Sequence, residues 1–257
     1  MKVLTHNNKI FTLNGNILKW EPPPSKGDLL NINLDGNGNK TYRVLNINGN
    51  VAKVLGMSDI ATSQAYNTTS KPTGILSVII QQYADSDLDT YLNTTWYNTL
   101  SDVAKAAIVS TAVIQDAWTF GSAEYSGTYG ATVPGTTAYN IGKYSNTISI
   151  GERNIFALSV QDVIDYLNDN SVQVDTTAIL RNVNIWKLFW NTETSPKNSG
   201  SIRLSSANTG NSNSTWIVNS SLGYLNIGSV TIGHRVRPAF NIDLSKIPFT
   251  KTTEVIS

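Results

Sequence analysis

Few residues in this chain are equipped to make or break covalent bonds. Among 257 residues there are two histidines, His6 and His234, and no cysteine. The missing thiols exclude a disulfide framework, thiolate metal sites and a cysteine nucleophile. Neither histidine belongs to a zinc-protease helix motif or to a spaced set of carboxylates, so no metal-ligand set is legible, and His234 reads as a polar turn residue before the last strand. Glu124, Glu152 and Glu193 are the only glutamates that invite comparison with a glycosidase pair, but no motif brings them together and they read as surface groups. There is no nucleophile elbow, Walker loop or dinucleotide fingerprint. The expectation is a protein with no catalytic residue, no metal and no cofactor.

Composition points the same way. Charged residues make up 14% of the chain and the formal net charge is +1, which leaves no electrostatic footprint for nucleic acid or an acidic membrane. Asn, Ser and Thr supply about a third of the residues, while the apolar fraction reaches 40%, enough for a core. Such a chain folds, and it presents many neutral hydrogen-bonding side chains at turns. No apolar run approaches the roughly 18 residues of a membrane span, and MKVLTHNNKIF lacks the apolar core of a secretory signal. Synthesis in a bacterial cytoplasm without a signal peptide is expected.

The elements that must position any site can be read in order. Residues 1–24 form a separate arm: Lys9–Trp20 holds two short apolar stretches around Asn14-Gly15, a pair suited to a tight hairpin turn, and Pro22, Pro23 and Pro24 then stop strand pairing. A lone hairpin is marginal in water, so the arm is expected to dock, with Phe11 and Trp20 as anchors. Residues 25–257 form the main domain. Asp28–Met57 reads as a meander of three strands with turns at Asp35–Asn39 and Asn48–Asn50. Ser86 caps a helix with Leu88, Tyr91, Leu92 and Trp96 on one face, and Ser101 starts a second whose stripe is Val103, Ala106, Ala107 and Val109. Residues 117–151, with Tyr125, Tyr129, Tyr139 and Tyr144, are either a recognition loop or a hairpin excursion. Ser159 caps the clearest helix, through Val160, Val163, Ile164 and Leu167.

From Ser214 to Ile247 short apolar strands alternate with Asn, Ser and Gly. Trp216, Val218, Asn219, Ser220, Gly223, Leu225, Asn226, Val236, Arg237, Pro238, Ala239, Phe240, Asp243 and Leu244 fall in step with a signature, W-x-VN-S-x-G-x-L-N through VRPAF-x-[IL]-DL. It resembles that of an uncharacterised domain family common in bacteriophages and Gram-positive bacteria. The segments YRVLNINGN (42–50), DLDTYLNTTWYNTLSDVAKAAI (87–108) and IFALSVQDVIDYL (155–167) are similar to further parts of that family. The resemblance implies an α+β fold of the C-type lectin-like kind, with irregular antiparallel sheets, a few short helices and long polar loops. Enzymes of that fold that make formylglycine depend on cysteines this chain lacks. Glu21-Pro22-Pro23 and Trp190-Asn191-Thr192 depart from the calcium-lectin pattern, so the metal expectation stays empty.

The resemblance places the recognition surface on the C-terminal loops, with Asn208, Asn211, Asn213, Asn219, Tyr224 and Asn226 as ligand-binding candidates. Neutral amides and a phenol suit sugar hydroxyls or a protein epitope without the desolvation cost of charge. Arg237 is expected to pair with a buried carboxylate such as Asp243. The function expected is a non-enzymatic virion-surface protein, a tail or baseplate receptor-binding protein that contacts a host cell-surface glycan or protein. A capsid decoration or head-fibre protein is the alternative, and a cell-wall hydrolase ranks third. Other virion proteins would hold the arm, and a homo-oligomer, such as a trimer, would let arms pair.

Overall fold

The computed structural model describes residues 2–3, 5–6, 9–10, 12–13, 16–17, 19–20, 22–75, 78–120, 129–131, 139–143, 147–167, 182–193, 195–196, 200–209, 211–221 and 223–256. In the arm, β1 (Lys2–Val3), β2 (Thr5–His6), β3 (Lys9–Ile10), β4 (Thr12–Leu13), β5 (Asn16–Ile17) and β6 (Lys19–Trp20) pair antiparallel as β1 with β6, β2 with β3 and β4 with β5. Leu13 pairs with Asn16, and the Asn14-Gly15 pair expected to turn the chain lies outside the described residues. Phe11 lies outside the described residues, and Trp20 ends β6.

The main body is mostly sheet with a few short helices, an α+β chain. Its meander is β7 (Leu29–Ile32), β8 (Lys40–Asn48) and β9 (Val51–Gly56), followed by β10 (Ala61–Gln64), β11 (Pro72–Ile75) and β12 (Val78–Gln81). Helix α1 (Asp87–Thr90) widens into a π turn over Tyr91–Trp96 and tightens over Tyr97–Thr99 before α2 (Asp102–Ala107). Next come β13 (Ile108–Val109), β14 (Thr111–Gln115), β15 (Ala117–Phe120), β16 (Tyr129–Ala131), β17 (Tyr139–Lys143) and β18 (Ile148–Arg153). Helices α3 (Val160–Leu167) and α4 (Asn182–Trp190) precede β19 (Ile202–Asn208), β20 (Ser214–Asn219), β21 (Tyr224–Ser229), β22 (His234–Val236), β23 (Ala239–Asp243) and β24 (Phe249–Thr252).

A six-stranded sheet in the order β13-β23-β9-β8-β7-β24 is the centre of the molecule. Both of its faces are covered, which is why YRVL in β8 is buried at every position. Tyr42 and Val44 join a core with Leu88, Leu92, Leu100, Phe240 and Ile242. Leu45, on the other face, joins Leu55, Val163, Ile164, Phe189 and Trp216 in a second core, and a register shift between Val44 and Asn46 follows. The second sheet runs β10-β22-β19-β15-β17-β16, with β20 and β21 attached at β19.

The capping serines sit where expected. Ser86 Oγ accepts from Asp89 N and Ser101 Oγ from Ala104 N. At α3, Ser159 Oγ accepts from Asp162 N at 3.0 Å while Asp162 Oδ2 accepts from Ser159 N at 2.9 Å, a reciprocal cap. Helix α2 is shorter than its sequence pattern. It ends at Ala107 because the β-branched Ile108 and Val109 pair with β23 instead, and Val103, expected on the apolar stripe, is 57% exposed. The Tyr-rich stretch contains a ladder: Tyr129 pairs with Ile141 and Tyr139 with Ala131, while Tyr125 and Tyr144 lie outside the described residues.

His234 lies in β22, not in a turn. Its Nε2 is buried without a hydrogen-bond partner among the described residues, and a Cβ on Gly228 would stand 2.7 Å from that atom. Burial, aided by Arg203, pushes its pKa down to about 4 from 6.5. The folded state therefore binds fewer protons than the unfolded state between those values, and this contribution to stability, complete above pH 6.5, is lost as pH falls through that window towards 4. Thermal unfolding followed by circular dichroism should show the midpoint falling from pH 6.5 to 4.5, and His234→Gln should flatten that fall; an equal slope in the variant would contradict it.

Candidate functional site

The six predicted ligand residues do not converge. Asn208 is 1% exposed within β19, so it offers nothing to an outside ligand; its place in a paired strand inside the second sheet, not in a loop, is the reason. Asn211 and Asn213 are exposed in the β19–β20 turn and build it: Asn211 Oδ1 accepts from Asn213 N, and Asn213 Oδ1 accepts from Ser70 Oγ. Asn219 stands at the other end of β20, opposite Tyr224, with its Oδ1 accepting from Ser221 Oγ. Asn226 is half-buried in β21 and accepts from Ile227 N. Strand rise puts Asn213 and Asn219 about 20 Å apart, so one small ligand does not touch both.

The signature itself is scaffold. Trp216, Val218 and Phe240 are fully buried. Arg237 is 5% exposed, and its partner is Asp59 rather than Asp243: Nε donates to Asp59 Oδ1 at 2.9 Å. Asp243 bonds instead with Ser245 and Lys246 near the surface. Arg235 also pairs with Asp59, while an Arg237 NH1 donates to the Phe189 carbonyl at the end of α4 and its guanidinium lies 5.4 Å from the Trp190 ring. Burial lowers the Arg237 pKa and Asp59 opposes that fall. Arg43 does the parallel job one strand away, donating to Leu188 O at 3.1 Å and to Asn191 Oδ1 at 2.7 Å. Two cations thus meet the negative end of α4, and Asn191, at φ 54°, is its cap.

The concave site lies where this scaffold meets the meander. A cavity of about 370 Å³ is lined by Asp35 and Asn37 from the β7–β8 loop, Lys40, Thr41 and Tyr42 from β8, Gly56 at the end of β9, Ser58 and Asp59 after it, Trp96, Thr99 and Leu100 from the helical segment, and Pro238. Gly56 is required there, because a Cβ would meet Pro238 Cδ at 2.9 Å. Phe240 lies between two of the aromatics, 5.4 Å from Tyr42 edge-on and 6.3 Å from Trp96. Tyr42 is 3% exposed and lines the cavity. Burial, then the nearby Asp35 charge, pushes its pKa up, so it stays a neutral phenol. An aromatic wall, a phenol and a polar rim suit reversible binding of a small polar molecule.

Among the described residues no group of three or more His, Cys, Asp or Glu side chains is arranged to hold a metal ion. Residues 76–244 match the model of a family described as a domain of unknown function (DUF6273), more than half of the chain. The chain belongs to that family. No curated protein and no solved structure matches the chain. The DUF6273 segment supplies Trp96, Thr99, Leu100 and Pro238 to the pocket and Phe240 beneath it, whereas Asp35, Tyr42 and Asp59 come from the meander ahead of it. Sequence reasoning placed Tyr42 and Trp96 within family motifs but not at a site, since their meeting depends on tertiary packing. Asp59 carried no sequence signal.

Asp59→Ala should leave two arginines uncompensated, one of them buried, and lower stability by about 3–5 kcal/mol in urea unfolding. Asp243→Ala should leave the midpoint almost unchanged, and the reverse ranking would overturn the pairing described above.

Proposed function

We propose that this DUF6273 protein is a non-enzymatic receptor-binding component of a bacteriophage or phage-derived virion. Residues 1–24 dock on other virion proteins, and residues 25–257 form a C-type lectin-like domain that faces the host from the tail or baseplate. The observation that carries this reading is the cavity of about 370 Å³ in which Tyr42 and Trp96 meet Pro238 beneath a polar rim. The motif resemblances along the chain support the virion setting, and the buried signature supports a rigid display scaffold.

The arm's strand pairs are short, consistent with an element completed by a neighbour. Copies assembled as a homo-oligomer on the particle surface would raise a weak single-site affinity through multivalency.

Fluorescently labelled chain should bind cells or isolated walls of Gram-positive bacteria saturably. The double variant Trp96→Ala/Tyr42→Phe, with its fold verified by circular dichroism, should lose that binding. Equal binding by the double variant would count against the pocket as the recognition site.

A further inference from the structure

We infer that the pocket takes an uncharged, polyhydroxylated ring, a neutral sugar residue of a surface polysaccharide; this rests on the binding role just proposed and narrows its ligand. Size is the first argument. About 370 Å³ is at the small end of ligand cavities and suits one or two rings, whereas a protein epitope needs a broad face burying roughly 800 Å² per partner.

Charge is the second. Asp59 is already met by Arg235 and Arg237, so its carboxylate is matched within the protein. The remaining rim charges, Asp35 and Lys40, are of opposite sign. An ionic ligand would meet a like charge there as well as an opposite one, and a net-neutral ligand avoids that conflict.

Hydrogen-bonding capacity is the third. Thr41 Oγ1 is occupied, donating to Asn31 Oδ1 at 2.8 Å and accepting from Ile256 N at 2.7 Å. Tyr42 lines the same cavity, and a phenol both donates and accepts, as a sugar hydroxyl does. Asp35, Asn37 and Ser58 add further polar groups around the mouth. Half-buried Trp96 contributes an apolar ring face to the same cavity, the surface against which the C–H side of a pyranose packs.

The test is isothermal titration of the whole chain with methyl glycosides of neutral hexoses and N-acetylhexosamines, alongside glucuronic acid and glucosamine as charged probes. At least one neutral glycoside should bind saturably, with roughly millimolar affinity for a single ring, and more tightly than either charged probe. Trp96→Ala should abolish the signal, and Tyr42→Phe, which keeps the ring and the melting temperature, should weaken it about five- to tenfold. Failure of every neutral glycoside, stronger binding of a charged probe, or unaltered affinity in Tyr42→Phe would overturn the sugar assignment. Wall binding that is lost in the double variant but uncontested by neutral glycosides would remove the sugar and keep the pocket. Wall binding indifferent to the double variant would remove the pocket reading itself.

Discussion

A buried arginine organises this protein. Arg237 sits just before β23, an inner strand of the central sheet, with its charge out of water, and a cation there needs both opposite charge and acceptors from its surroundings. Asp59 provides the first and the C-terminal carbonyl of α4 the second. Satisfying one side chain therefore ties three distant segments together: the connection after β9, the end of α4 and the start of β23. Arg43 in β8 and Arg203 in the second sheet are met by neutral acceptors instead: the Leu188 carbonyl and Asn191 for the first, Thr215 and the carbonyls of Gly228, Ser229 and Ile232 for the second. In a chain with so few charges, these cations fix which loops stand beside which strands.

The pocket is a consequence of that fixing. Pro238 follows Arg237 and forms part of the cavity wall, and Phe240, on the same strand, packs between Tyr42 and Trp96. Of the VRPAF residues, Pro238 lines the cavity, whereas Arg237 and Phe240 hold the Asp59 carboxylate and the aromatic wall in place; the rest of the lining comes from other segments. The family match begins at residue 76, so Asp35, Tyr42 and Asp59 of the cavity lining lie outside the matched region.

Local features of the fold were legible in the sequence because local physics determines them. Ser86, Ser101 and Ser159 announced three helix starts, and alternation in LLNINL announced β7. The end of α2 was missed because Ile108 and Val109 find a strand partner more than 130 residues away, which no local pattern reveals. The same limit applied to the site. Asparagines in the C-terminal third drew attention as neutral donors, yet hydrogen bonds to Ser70, Ser221 and neighbouring amides engage Asn213, Asn219 and Asn211 in their own turns. Arg237 was correctly marked as structural from its place before proline, but its partner was misjudged: Asp243 is six residues on in sequence, whereas Asp59 is brought in by pairing of β9 with β23.

The central claim is that ligand contact is confined to the pocket where the meander meets the signature strand. Residue-resolved nuclear magnetic resonance of the isotope-labelled chain, titrated with soluble wall fragments, addresses it directly. The account predicts shift changes clustered at the Trp96 indole, at residues 35–42 and at residues 56–60. Changes centred on the Asn211–Asn213 turn or on the Asn219–Tyr224 end of the hairpin, with the pocket resonances unmoved, would contradict it.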